Sequence, residues 1–130
     1  MKKVWVAVLL FLAGCQTERS APGATVVLSD AQVALVQEAV RGRMQNESAP
    51  IRFSLLRAAD AGSGRVFICG VFGRESRLGE FERPLPFRAV LDPAGSAAVL
   101  DLGGSRYRNE VIAARCGRSG ISTQNMIVLR

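Results

Sequence analysis

The chain contains no histidine. A Ser-His-Asp or Cys-His nucleophile arrangement therefore lacks its base, and metal sites lose one of their principal ligands. The three cysteines form no C-x-x-C pair, which excludes that redox motif. No G-x-x-x-x-G-K stretch occurs, and the glycines at 62, 64, 70 and 73 precede no expected helix that could hold a phosphate. Internal repeats and low-complexity tracts are absent as well. The longest mostly apolar run, Val4 to Gly14, has eleven residues, short of the roughly 20 that a spanning helix needs. Lysine stops at Lys3, so every later base is an arginine.

What the N-terminus does contain is ordered. Met1-Lys2-Lys3 supplies a positive start, the apolar run follows, and Leu12-Ala13-Gly14-Cys15 ends it with a small pair before a cysteine. This arrangement resembles the bacterial lipoprotein signal. The resemblance implies cleavage after Gly14, a diacylated Cys15 thiol and acylation of the new amine. Residues 1–14 would then be a removed signal peptide, and Cys15 a membrane anchor carrying palmitate-type chains, with no other cofactor. Gln16 rather than aspartate follows the anchor. That points to the outer membrane, facing the periplasm, in organisms that retain lipoproteins by an aspartate there.

Removing residues 1–14 leaves 116 residues, enough for one domain with a modest core. A domain of that size gains from a covalent staple. Export into an oxidising compartment makes a Cys69–Cys116 disulfide the expected one. The cysteines are 47 positions apart, and closing such a loop is worth about 4 kcal/mol in the chain-entropy model. The rival reading, a metal or redox pair, wants more ligands at shorter spacing. Net charge falls from +6 to +4 when Lys2 and Lys3 leave, with 15 arginines facing 11 acidic residues. An all-arginine base set suits nucleic acid. Export and the scatter of these arginines argue against that partner, and a GC-rich genome accounts for the bias. Weak attraction to anionic headgroups remains open.

Residues 15–28 read as the acylated cysteine and a flexible tether, polar and small with Pro22 and Gly23 inside it. A globular domain spans 29–120. Ser29 and Gln32 have capping-box spacing, with Leu28 and Val33 at staple positions. Val33, Val36, Val40 and Met44 recur at helical spacing, widened by Leu35 and Ala39, which predicts a helix over Asp30 to Gln45. Pro50 closes the segment after it. Three to four strands follow. Ile51 to Ala58 alternates imperfectly before a turn at residues 61–64. Arg65 to Phe72 is apolar on both faces, as a covered central strand would be. Residues 73–83 are charged and read as an exposed connection. Leu85, Phe87, Ala89 and Leu91 keep period two, and Pro84 and Pro86 push that strand's start towards an edge. Asp92-Pro93-Ala94-Gly95 is a turn, and Ala97 to Leu102 is the next strand. A second helix over Ser105 to Cys116 presents Tyr107, Val111 and Ala114 on one face, with Ile112 and Cys116 beside it. Gly117 takes its left-handed cap. Residues 121–130 are a tail or a short edge strand through Met126-Ile127-Val128-Leu129. The class is α+β: an N-terminal helix on a small antiparallel sheet, closed by a C-terminal helix and one disulfide.

The segments "ALVQEAVRGRM", "VFICGVFGRESRLGEF", "PFRAVLD" and "YRNEVIAARCG" resemble, over residues 30–118, a group of small bacterial envelope proteins of unknown function. Their shared core is a Val-x-x-Cys-Gly strand, a loop with glycine and an aromatic, and a Pro-x-x-Phe strand. Cys69-Gly70, Gly79, Phe81 and Phe87 hold those places. Relatives often carry Tyr-Val-Asn after Cys-Gly, where this chain has Val71-Phe72-Gly73. The resemblance implies the fold and the paired cysteines, and no activity.

Glu80 and Glu82 are the nearest approach to a glycosidase carboxylate pair. Acidic residues in an exposed, arginine-rich loop usually serve as solvated counter-charges, so a periplasmic hydrolase is the remote reading. No catalytic or metal-ligating residue is assigned. A non-catalytic interaction module, bound to the membrane by its lipid and to an envelope protein by its surface, is the leading one. Arg74, Arg77, Phe81 and Arg83 are the candidate surface, since arginine and aromatic anchors dominate small interfaces. A structural lipoprotein that touches peptidoglycan or an outer-membrane assembly is the alternative.

Overall fold

The computed structural model describes residues 23–44 and 50–122, with the backbone alone for residues 81–83. Cys15, the leader and the tail strand expected at residues 126–129 lie outside them, as does the expected helix end at Gln45. Five strands and two helices run in the order β1 (Thr25–Val26), α1 (Asp30–Arg43), β2 (Ile51–Gly62), β3 (Arg65–Glu75), β4 (Phe81–Leu91), β5 (Ala97–Leu102) and α2 (Arg106–Arg118). The sheet is antiparallel with strand order β1-β2-β3-β4-β5. The class is α+β. Among the described residues there are five strands rather than three to four, because part of the expected tether pairs: Thr25 lies opposite Ala59 and Val26 opposite Ala58.

α1 begins at a complete capping box. The Ser29 hydroxyl accepts the Gln32 N–H, and the Gln32 side chain accepts the Ser29 N–H in return. Its inward stripe is narrower than expected. Val36 and Val40 are fully buried, Ala39 and Met44 pack at the margin, and Leu35 is 40% exposed. The helix lies on the side of the sheet that carries Ile51, Ala58, Ile68, Phe72, Phe87, Ala89, Leu91 and Val99. Phe87 is the hub of this core. Its ring centroid lies 5.3 Å from that of Phe53, stacked, and 5.9 Å from that of Phe72, edge-on. Gly70 sits opposite Phe87 in the neighbouring strand, and a Cβ there would lie 2.7 Å from the Phe87 ring. Only glycine leaves that ring its place.

The alternate residues of the same strands face α2. Cys69, Val71 and Ala59 are buried with Ile112, Cys116 and Ile121. Cys69 and Cys116 are joined in a disulfide with Cα atoms 6.1 Å apart, so α2 is bonded covalently to the central strand. That bond sets the helix's inward face. It is Ile112 and Cys116, not Tyr107, Val111 and Ala114; Tyr107 is 77% exposed. The left-handed residue after α2 is Gly120, at φ +84°, rather than Gly117, which is inside the helix. Ile121 donates its N–H to the Cys116 carbonyl and Gly120 to that of Gly117, the paired bonds of a Schellman ending. Beside the disulfide, Asp101 accepts from Arg88 at 2.7 Å and from Arg115 at 2.6 Å, tying β5 to β4 and to α2.

The prolines of β4 sit where the sequence places them. β5 pairs with β4 only from Phe87 to Leu91, so the segment with Pro84 and Pro86 has β3 alone as its strand neighbour. The Pro86 carbonyl accepts the Gly103 N–H on the side away from β3. The missing N–H of Pro86 points to that same side, past the end of β5, where the ladder asks for no donor.

Candidate functional site

Residues 73–83 are not one exposed connection. β3 runs on to Glu75, β4 resumes at Phe81, and Glu75 lies opposite Phe81 and Arg74 opposite Glu82. Cross-strand pairing carries the two strands through a charged stretch that shows no hydrophobic alternation. What remains is a five-residue tip, Ser76-Arg77-Leu78-Gly79-Glu80.

The tip is closely bonded. Ser76 donates its N–H to the Glu80 carbonyl at 2.8 Å, and Gly79 donates to the Ser76 carbonyl at 2.9 Å. The Ser76 hydroxyl oxygen accepts the Glu80 N–H at 3.0 Å and the Leu78 N–H at 3.3 Å. Gly79 takes φ +76°, so the chain can reverse without a Cβ penalty. This is a three-residue hairpin loop ending on a left-handed glycine. Arg77 and Leu78 stand at its apex, and Leu78 is 87% exposed.

Position matters as much as shape. Gly23, where the described chain begins, donates its N–H to the Asp60 carbonyl. Asp60 lies opposite Val66, and Val66 opposite Leu91. The chain thus enters at the end of the sheet that holds the β4–β5 turn, and the 76–80 tip is at the other end. The eleven residues of β4 separate the two ends by roughly 33 Å.

The four expected surface residues occupy three different places. Arg74 is an exposed residue of β3, Arg77 is at the apex, and the backbones of Phe81 and Arg83 belong to β4. Glu80 is exposed in the tip, whereas Glu82 belongs to the strand, so turn and ladder hold the two acids apart from any common loop. Arg52 meets Glu75 at 3.6 Å beside the hairpin, an exposed pair of little energetic weight. The sequence reading passed over Leu78. Its signal was an apolar residue followed by glycine inside a polar stretch, where neither helix nor strand periodicity asks for it.

Among the described residues, no group of three or more Cys, Asp or Glu could hold a metal ion, and no helix is long and apolar enough to cross a membrane. Compared with known proteins, the chain matches no family model, no curated protein and no solved structure.

Proposed function

We propose that this chain is a lipid-anchored, non-catalytic interaction module of a bacterial cell envelope, resident in the outer membrane and facing the periplasm. Its contact surface is the tip of the β3–β4 hairpin. The observation that carries the reading is Leu78, 87% exposed at the apex of a tip whose backbone is held by four hydrogen bonds. An exposed leucine on a fixed turn offers a partner an apolar anchor with little ordering entropy still to lose. Arg77 beside it adds a charged, planar donor set. The tip also lies at the far end of the sheet from Gly23, so a tether joined to Cys15 would carry it outward from the bilayer.

Two experiments test the two halves separately. For the anchor, Cys15→Ser should abolish labelling by a palmitate analogue and leave an unprocessed or released chain; a processed, membrane-held Cys15→Ser form would refute the lipoprotein reading. For the tip, in-cell crosslinking with the full chain should yield a defined protein adduct. Arg77→Ala with Leu78→Ser should remove that adduct while leaving the chain's level and membrane attachment intact. An adduct indifferent to the double change, or recovery of peptidoglycan in place of protein, would overturn it.

A further inference from the structure

The two helices are held to the sheet by unequal means. On the α1 side, Ile51, Ile68, Phe72, Phe87 and Val99 bring four strands into one buried core. On the α2 side, the buried cluster is Ala59, Cys69, Val71, Ile112, Cys116 and Ile121, without an aromatic ring, and two of its members are the bonded cysteines. Of its thirteen residues, α2 buries Ile112 and Cys116. Its polar tie to the sheet runs from Arg115 to Asp101 at 2.6 Å, and the Arg115 side chain is 42% exposed. Asp101 also accepts from Arg88, whose guanidinium lies 5.7 Å from the centre of the Phe67 ring. Lifting α2 away would therefore leave that carboxylate paired, with no orphaned buried charge to oppose the motion. A helix of thirteen residues without tertiary packing is marginal in water. The covalent bond is what makes α2 part of the fold.

We propose that the Cys69–Cys116 bond is a redox-sensitive latch on α2 alone. Oxidised, it keeps α2 on the sheet; reduced, α2 leaves and uncovers Leu55, Phe67 and Val71, while the five strands and α1 stay folded. The reductant is a dithiol. Its thiolate attacks one cystine sulfur and breaks the S–S bond, giving a mixed disulfide and a protein thiolate that takes up a proton. The second sulfur of the dithiol then displaces the other cysteine, so two electrons and two protons pass to the protein and the dithiol leaves as its own disulfide. Cys69 and Cys116 are both fully buried, so the attacking sulfur reaches them only after α2 has opened locally. The latch is thus gated by the packing of the helix it holds, chiefly Ile112 and the Arg115–Asp101 pair. The β3–β4 hairpin lies outside this rearrangement, because its strands pair with each other and not with α2.

Backbone hydrogen exchange on the full chain in detergent micelles, oxidised and after reduction by dithiothreitol, tests this. The Ile112 and Cys116 amides should exchange at least about a hundredfold faster in the reduced chain. The Val36, Ile68 and Phe87 amides should keep their rates. Protection retained at Ile112 and Cys116 after reduction would overturn the proposal, since α2 would then dock without its bond. Protection lost at Val36, Ile68 and Phe87 as well would also overturn it, making the bond a support of the whole fold. A second measurement tests the gate. Arg115→Gln removes the polar tie and leaves Asp101 with Arg88, so excess dithiothreitol should reduce the bond about fivefold faster, the scale of one exposed ion pair. An unchanged rate would mean that the dithiol reaches the sulfurs without moving α2, and would remove the gate.

Discussion

β4 has a hairpin turn at each end, and the two turns share one backbone. In the first, Gly79 donates to the Ser76 carbonyl and Ser76 to that of Glu80; in the second, Gly95 donates to the Asp92 carbonyl and Asp92 to that of Ser96. Each opens on a short oxygen-bearing side chain that accepts a backbone N–H two residues on, Ser76 from Leu78 and Asp92 from Ala94. Each closes on a glycine at positive φ, +76° and +87°. The first and fourth positions are thus dictated by the turn. The second and third are not, and there the two diverge: Pro93-Ala94 at the end where the chain enters, Arg77-Leu78 at the far end. Pro-Ala is what folding alone would choose. Arg-Leu exposes a large apolar side chain that the same backbone does not require, as the proposed contact surface would need.

If the turns are equivalent, their glycines should be equally intolerant. A Cβ at Gly95 meets nothing within 4 Å, and one at Gly79 comes only within 3.8 Å of a Glu75 carboxylate oxygen. The penalty of Gly79→Ala and of Gly95→Ala is then conformational alone, about 1–2 kcal/mol each. Paired chemical denaturation curves would measure it. Costs differing by more than about 1 kcal/mol would break the equivalence, and with it the inference drawn from Arg77 and Leu78.

The opening residues should cost less. Ser76→Ala frees the Leu78 and Glu80 N–H groups, and Asp92→Ala frees that of Ala94. These donors are exposed and water replaces the acceptor, so each change should lose about 0.5–1.5 kcal/mol. Ser76→Ala should also speed amide exchange at Glu80 relative to the matching amide, Ser96, in Asp92→Ala. A Ser76 variant with unchanged exchange in the tip would mean that the hydroxyl does not hold Leu78 in place.

Why one turn was legible and its twin was not is a matter of what flanks it. Asp92-Pro93-Ala94-Gly95 follows a strand whose period-two apolar face, Phe87, Ala89 and Leu91, stops just before it. Ser76–Glu80 sits among Arg74, Glu75, Glu82 and Arg83, which erase the alternation; pairing with a neighbour extends β3 and β4 there, and pairing is non-local. The same limit hides β1, since two residues carry no period. α1 was readable from its cap and stripe because both are local. α2 was misread by one face because helical spacing alone gave Tyr107, Val111 and Ala114 equal standing with Ile112. The expected bond from Cys116 to β3 already required Cys116 and Ile112, one turn before it, to face the sheet.

The smallest effect on stability should accompany the largest effect on function. Replacing Arg77-Leu78 by Pro-Ala gives the far turn the residues of the near one. The Arg77 N–H takes part in no described hydrogen bond, so the proline removes no turn bond. Pro93 shows that this position of the turn admits proline. Restricting the unfolded chain should stabilise the domain by about 0.4–1 kcal/mol, raising its denaturation midpoint slightly. The crosslinked partner should be lost at the same time. A module whose turn is improved as structure and emptied as contact would separate the two demands on one hairpin. Retained partner capture in the Pro-Ala chain would instead mean that Arg77 and Leu78 are filler on a turn of no further use, and would move the contact surface away from the tip.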